Sequence, residues 1–226
     1  FVEDITLSKN TTDTVVGFIL DKSDSMKLVI DETISGFNEY LGTLRSDKTP
    51  TLLNLWAFNS LGIDSVYNFE DVTSIPDMTP KTYQPTGLTP LYDAIAKGIK
   101  ETSDFVKSMG GEWNVIFTIM TDGLENCSES YNREKIFKLI TRKEKEGWVF
   151  VYLGANQDAW TVAESIGIGK QYAATYDAYN ADVALRTAAD STLRGKAAMR
   201  DRRRPGHMFT QEERVRLLEE KMGHRR

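Results

Sequence analysis

A single cysteine, Cys127, excludes an internal disulfide and a thiolate metal cluster, and is compatible with a reducing compartment. Histidine is nearly as scarce: His207 and His224 are the only two, both in the carboxyl-terminal tail, where they read as inert. No apolar run approaches the roughly 20 residues that span a bilayer, and the amino terminus lacks the basic-then-apolar pattern of a secretion signal. The expected location is the cytoplasm, with no membrane insertion. The chain begins with Phe1 rather than Met, so an upstream segment and any leader in it are left open. There is no glycine-rich phosphate loop ending in Lys-Ser or Lys-Thr, no internal repeat and no long low-complexity tract.

What is there fits one larger domain, or a domain with an appendage: 226 residues, 40% hydrophobic and 27% charged. The formal charge of -5 hides an asymmetry. From Arg194 to Arg226 there are 11 basic against 5 acidic side chains, a net of +6, while residues 1–193 carry 17 against 28, a net of -11. An acidic body argues against a nucleic-acid-binding core, and a basic tail leaves a weak anionic contact open.

Residues 1–13 are polar and read as a leading arm or short edge segment. Val15 to Leu20 is a continuous apolar run, as in a strand covered on both faces. From Lys27 to Leu44 apolar residues recur mostly every three or four positions, which predicts a helix. Leu52 to Phe58 predicts a second strand, and Val66 to Phe69 a short antiparallel partner after a loop over Asn59 to Asp64. Pro90 suits a first helical position, with Thr89 as its cap and the helix running to Met109. Strand Trp113 to Met120, helix Asn132 to Glu146, strand Trp148 to Leu153, helix Asp158 to Ile166, strand Tyr172 to Thr175 and helix Ala178 to Met199 follow. This alternation predicts an α/β fold with a mostly parallel central sheet, one antiparallel edge strand and helices on both faces. The expected division is one domain over 1–199, then 200–226 as a basic linker and a short helix with a Thr210/Glu213 capping box.

In such a sheet, ligands bind at the carboxyl ends of strands near the topological switch point. Three polar segments fall at such junctions: Asp21-Lys-Ser-Asp-Ser, Gly87-Leu-Thr-Pro and Thr121-Asp-Gly. If they converge, they gather Asp21, Ser23, Ser25, Thr89 and Asp122. Two carboxylates and three hydroxyls make an oxygen-only donor set, which suits a hard divalent cation such as Mg²⁺.

Those residues resemble the von Willebrand factor type A domain and its metal-ion-dependent adhesion site. Asp21, Ser23 and Ser25 match its Asp-x-Ser-x-Ser element, Thr89 within Thr86-Gly-Leu-Thr-Pro-Leu-Tyr-Asp-Ala its separated Thr, and Asp122 within Met120-Thr-Asp-Gly its separated Asp. The likeness covers roughly residues 14–170. It implies a Rossmann-like three-layer sandwich with Mg²⁺ (Mn²⁺ or Ca²⁺ as substitutes) on the sheet's upper edge. It implies that Ser23, Ser25 and Thr89 bind the metal directly and that Asp21 and Asp122 act directly or through water. It further implies a non-enzymatic module whose metal accepts an Asp or Glu from a protein partner. Leu153-Gly-Ala-Asn-Gln-Asp and the single Cys place the chain nearer bacterial or phage-type members than animal adhesion domains. Asp24 stands where the family commonly has Gly; it tolerates a left-handed backbone, and its charge bears on the approach of an acidic partner.

Each residue also has a plainer reading. Ser23 and Ser25 serve as helix caps in an isolated motif, Thr89 as an N-cap and Asp122-Gly123 as a turn; their co-occurrence in order favours the metal. Asp93 reads as a solvated first-turn acid or an acceptor behind a ligand, and Glu125 and Asn126 as surface loop or site rim. Arg200, Arg202, Arg203 and Arg204 read as a solvated linker, and Leu217, Leu218 and Met222 as a face docking on the parent domain. The alternatives are a metal-dependent hydrolase or phosphoryl-transfer enzyme, and a component of a nucleic-acid-associated complex contacting it through the 200–226 tail. The first lacks an Asp-x-Asp after the first strand, and the second lacks an aromatic-interleaved basic groove.

Overall fold

The structure is a computed structural model that describes residues 13–219. The expected leading arm, apart from Asp13, falls outside it, as do Met222 and His224. Among the described residues, strands β1 (Thr14–Asp21), β2 (Thr51–Asn59), β3 (Gly62–Asp71), β4 (Asn114–Thr121), β5 (Val149–Ala155) and β6 (Ala173–Tyr176) form one sheet in the order β3-β2-β1-β4-β5-β6. Every pair is parallel except the β2-β3 hairpin. The helices are α1 (Ile30–Ser46), α2 (Leu91–Met109), α3 (Arg133–Lys145), α4 (Ala159–Ser165), α5 (Ala181–Arg200) and α6 (Gln211–Leu218).

Alternation along the central strands assigns the two faces. Phe18 meets Phe37 and Tyr40 of α1 edge-on at 5.4 and 5.2 Å, and the Tyr40 hydroxyl lies 3.1 Å from Thr192 Oγ1 of α5. On the other face, a Cβ on Gly98 of α2 would come within 2.8 Å of Ile19 and 2.7 Å of Phe117. So α1 and α5 cover one face and α2 the other, with α3 beside α2. β1, β2, β4 and β5 are buried at every position, which explains why they read as largely apolar runs without alternation.

The structure modifies two expectations. β3 begins at Gly62, four residues before the expected start, because the hairpin turns on Ser60-Leu61 alone, with Asn59 Oδ1 accepting the N–H groups of Leu61 and Gly62. As an edge strand β3 carries solvent-facing Asp64, Asn68 and Glu70, which break its apolar run. The first helix is divided: a 3-10 segment, Asp24–Val29, precedes α1.

Residues 200–219 lie against the same core. Met208 and Leu217 are fully buried, the Tyr172 hydroxyl donates to the Pro205 carbonyl at 2.6 Å, and Ser191 Oγ donates to that of Met208 at 2.5 Å. α6 carries both halves of the Thr210/Glu213 capping box, and its Arg214 donates to the Ala173 carbonyl in β6. Leu218 remains exposed.

Candidate metal site

The chain leaves β1 for β2 on one side and reaches β4 on the other, so the carboxyl ends of β1 and β4 flank the switch point of the sheet. β1 ends at Asp21 and β4 at Thr121, and these meet: Thr121 Oγ1 donates to Asp21 Oδ2 at 2.6 Å. Asp21 Oδ1 accepts the Ser23 N–H at 2.7 Å, an Asx turn that lifts the chain out of the strand. Ser23 Oγ then lies 3.2 Å from Ser25 Oγ, and Ser25 Oγ donates to Asp122 Oδ1 at 2.6 Å.

Thr89 arrives on the loop between β3 and α2, which is sewn to the first loop by backbone bonds. Thr86 N–H donates to the Lys22 carbonyl at 2.8 Å, and Asp24 N–H to that of Gly87 at 2.9 Å. Gly87 has φ +78°, and a Cβ there would lie 2.5 Å from Ser60 Oγ, so the turn requires glycine on both counts. A Cβ on Gly123 would lie 3.2 Å from Thr89 Oγ1 and 3.9 Å from Ser25 Oγ, which puts both hydroxyls beside the third loop. The structure thus brings together all five residues singled out from the sequence.

Thr89 does not cap α2: the residue before the helix is Pro90, and no side-chain cap bond forms there. Acceptors come instead from the loop after β4. Asn126 Oδ1 takes the Thr89 N–H at 2.9 Å and Asn126 N–H donates back to the Thr89 carbonyl at 3.2 Å. Glu125 Oε2 takes the Tyr92 N–H at 2.8 Å, and Ser128 Oγ that of Asp93 at 3.1 Å. The Asp93 carboxylate in turn accepts the N–H groups of Glu129 and Tyr131, both at 2.8 Å. Asn126 therefore holds Thr89 directly, while Glu125 and Asp93 tie the loop after β4 to the first turn of α2. The sequence carried one clue: a helix opening on Pro90-Leu91 leaves N–H groups that need acceptors from elsewhere.

Electrostatically, the site is starved of positive charge. Asp21 is fully buried, and burial pushes its carboxyl up to about 6 against the hydrogen bonds from Thr121 and Ser23. Burial also raises Asp122, against the bond from Ser25. The nearby cations are committed: Lys22 pairs with Asp64, and Lys27 with Asp24 at 2.5 Å. The latter pair offsets the charge that Asp24 brings to the motif. Among the described residues no group of three or more His, Cys, Asp and Glu could hold a metal ion. A cation here would depend on the hydroxyls.

Elsewhere, Cys127 has its thiol pushed up by burial, and His207 stands with Trp160 and Phe209 along a separate cleft. Among the described residues no helix is long and apolar enough to cross a membrane.

No protein-family model matches the chain, and no curated protein does. Solved structures do. Proximal thread matrix protein 1 from the mussel byssus is similar at a TM-score of 0.57 and 19% identity, over 80% of this chain and 48% of that one. The ArnB paralog VWA2 from Sulfolobus acidocaldarius is similar at 0.54 and 16%, over 79% and 46%. A von Willebrand factor type A protein from Catenulispora acidiphila is similar at 0.57 and 13%, over 81% and 43%. The chain thus spans less than half the length of each of these three proteins. With its six-stranded, mostly parallel sheet and surrounding helices, the chain has the von Willebrand factor type A fold.

Proposed function

We propose that the chain is a non-enzymatic protein-binding module whose metal-ion-dependent adhesion site uses Mg²⁺, or Mn²⁺ or Ca²⁺ in its place, to take an Asp or Glu from a partner. The observation that carries this reading is the convergence of Asp21, Ser23, Ser25, Thr89 and Asp122 on one edge of the sheet. Oxygens at about 2.0–2.1 Å from Mg²⁺ in octahedral geometry lie roughly 3 Å from their neighbours. The 3.2 Å between Ser23 Oγ and Ser25 Oγ has that spacing. Ser23, Ser25, Thr89 and Asp122 would hold the ion. Asp21, with each oxygen already accepting a hydrogen bond, would balance its charge from behind. The bound ion supplies a positive centre with room for an outside carboxylate.

Recognition is favoured over hydrolysis because no imidazole, activated thiol or free lysine stands at the site to serve as base or nucleophile among the described residues. Nucleic-acid contact through the tail is disfavoured because several cations in and beside it are used internally. Arg204 pairs with Glu144 at 2.9 Å, Arg194 with Glu213 at 2.9 Å and Arg203 with Asp201 at 2.8 Å. The single Cys127 fits action in the cytoplasm.

Calorimetric titration with Mg²⁺ and Mn²⁺ tests the site. Saturable one-to-one binding by the natural chain, lost in Asp21→Ala and in Thr89→Ala, is expected. Heats unchanged in both variants would overturn the assignment.

A further inference from the structure

We infer that the partner's carboxylate is flanked by aliphatic side chains, which rest on a rim of four leucines around the site; the inference rests on the metal-dependent reading above. Leu28, Leu61, Leu88 and Leu124 are 76%, 81%, 54% and 60% exposed. Leu28, Leu88 and Leu124 belong to the three segments that build the site, and Leu61 to the hairpin bonded to one of them. Leu88 precedes Thr89, and Leu124 follows Asp122-Gly123. Leu28 lies three residues after Ser25 within the 3-10 segment, where positions three apart share a face. Leu61 is held beside Leu88 by its neighbour Ser60, whose N–H donates to the Leu88 carbonyl and whose hydroxyl accepts the Leu88 N–H, both at 3.0 Å.

These positions do not call for leucine structurally. Leu61 occupies a two-residue hairpin turn, where Asn, Asp and Gly predominate, and Leu88 and Leu124 occupy loops, where polar residues are the rule. None of the four contributes to the core. Exposed apolar side chains gathered at one place mark an interaction surface. The charges among them compensate one another as Lys22–Asp64 and Lys27–Asp24 pairs, so the rim offers a partner little net charge apart from the metal. A surface with one electrophilic centre and an apolar margin selects an acidic residue with apolar neighbours and disfavours an acidic cluster.

The probes are three capped tripeptides, Ile-Glu-Ile, Gly-Glu-Gly and Ile-Gln-Ile, titrated into the full chain saturated with Mg²⁺. Ile-Glu-Ile should bind about tenfold tighter than Gly-Glu-Gly, as expected when two aliphatic side chains are partly buried, and Ile-Gln-Ile should bind weakly. In the Leu88→Ser/Leu124→Ser variant, Mg²⁺ affinity should be unchanged while the advantage of Ile-Glu-Ile disappears. Equal affinity of the two Glu peptides for the metal-loaded chain would overturn the rim and leave the metal site standing. Absence of Mg²⁺ binding would overturn both. Self-association of the natural chain that the double substitution abolishes would assign the rim to a second copy and overturn the inference.

Discussion

Thr121 Oγ1 donates to Asp21 Oδ2 at 2.6 Å, joining the last residues of two adjacent parallel strands. The same hydroxyl lies 3.0 Å from the Gly123 carbonyl and accepts the Gly123 N–H at 3.1 Å. It has one proton, so Asp21 and the Gly123 carbonyl compete for it. An ionised Asp21 wins that competition and draws the third loop towards the first. The cost is a buried negative charge with another carboxylate nearby.

The pH dependence of the metal-free chain follows. The folded Asp21 titrates at about 6, above its ordinary 3.8, so its stabilising contribution is complete below about 3.8 and is lost as pH rises towards 6. Asp122, also raised by burial, acts in the same direction. Asp21→Asn removes this loss. Its amide oxygen can keep the Ser23 N–H, and its NH₂ can donate to Thr121 Oγ1 while that hydroxyl turns to Gly123. In chelator, urea unfolding should find the variant more stable at pH 7 by on the order of 3 kcal/mol, with the gap closing at pH 4. A gap independent of pH would contradict the assignment.

Metal should reverse the effect. Mg²⁺ at 100 times its dissociation constant adds about 2.7 kcal/mol to a chain that binds it only when folded, and chelation should remove that increment. Because Asp21 must be ionised, affinity should fall as pH drops below about 6. Melting scans with and without Mg²⁺ at pH 5 and pH 7.5 check both, and Thr89→Ala should show no shift at either pH.

How far the sequence reveals this arrangement depends on the range of the interactions. Val15 to Leu20 declares its strand because both faces are buried, and Asp21, Ser23 and Ser25 declare themselves by local spacing. Thr89 and Asp122 become legible only beside that motif. Asn126 stays hidden because its partner lies 37 residues away and nothing in Leu124-Glu-Asn-Cys distinguishes a clamp from a surface loop. β3 is under-read for another reason: its edge position lets polar residues alternate, and its turn is closed by the Asn59 side chain rather than by glycine.

Asn126 gives the sharpest test of the scaffold. Asn126→Ala removes the acceptor for the Thr89 N–H without touching a proposed ligand. Residues that orient metal ligands typically cost 10- to 100-fold in affinity when removed, so Mg²⁺ binding should weaken by about that range. The far-ultraviolet dichroism should remain that of the natural chain. Unchanged affinity would mean that Pro90 and the Gly87 loop suffice to place Thr89.

Gly98 lets α2 approach the sheet over Phe117. A methyl there would lie 2.7 Å from the ring and 2.8 Å from Ile19, both side chains of a fully buried layer. Gly98→Ala should therefore destabilise by about 1–3 kcal/mol despite alanine's better helix propensity. Phe117→Leu should recover part of the loss when combined with it, which a double-mutant cycle in urea would register as coupling between the two sites.

The tail offers a final test, because its composition and its packing point in opposite directions. By charge, 200–226 resembles a solvated appendage; in the structure Met208 and Leu217 are fully buried and Phe209 is nearly so. At roughly 1.5–3 kcal/mol for each buried apolar side chain, ending the chain at Pro205 should cost several kcal/mol. It would also leave Ser191 and the Ala173 carbonyl without their partners Met208 and Arg214. Among the described residues, none of the five proposed metal-site residues is bonded to this segment, so chains that remain folded should bind Mg²⁺ with unaltered affinity. Urea unfolding and calorimetry on the shortened chain separate the two quantities. Undiminished stability would make the tail a true appendage, whereas lost metal affinity in folded protein would tie it to the site.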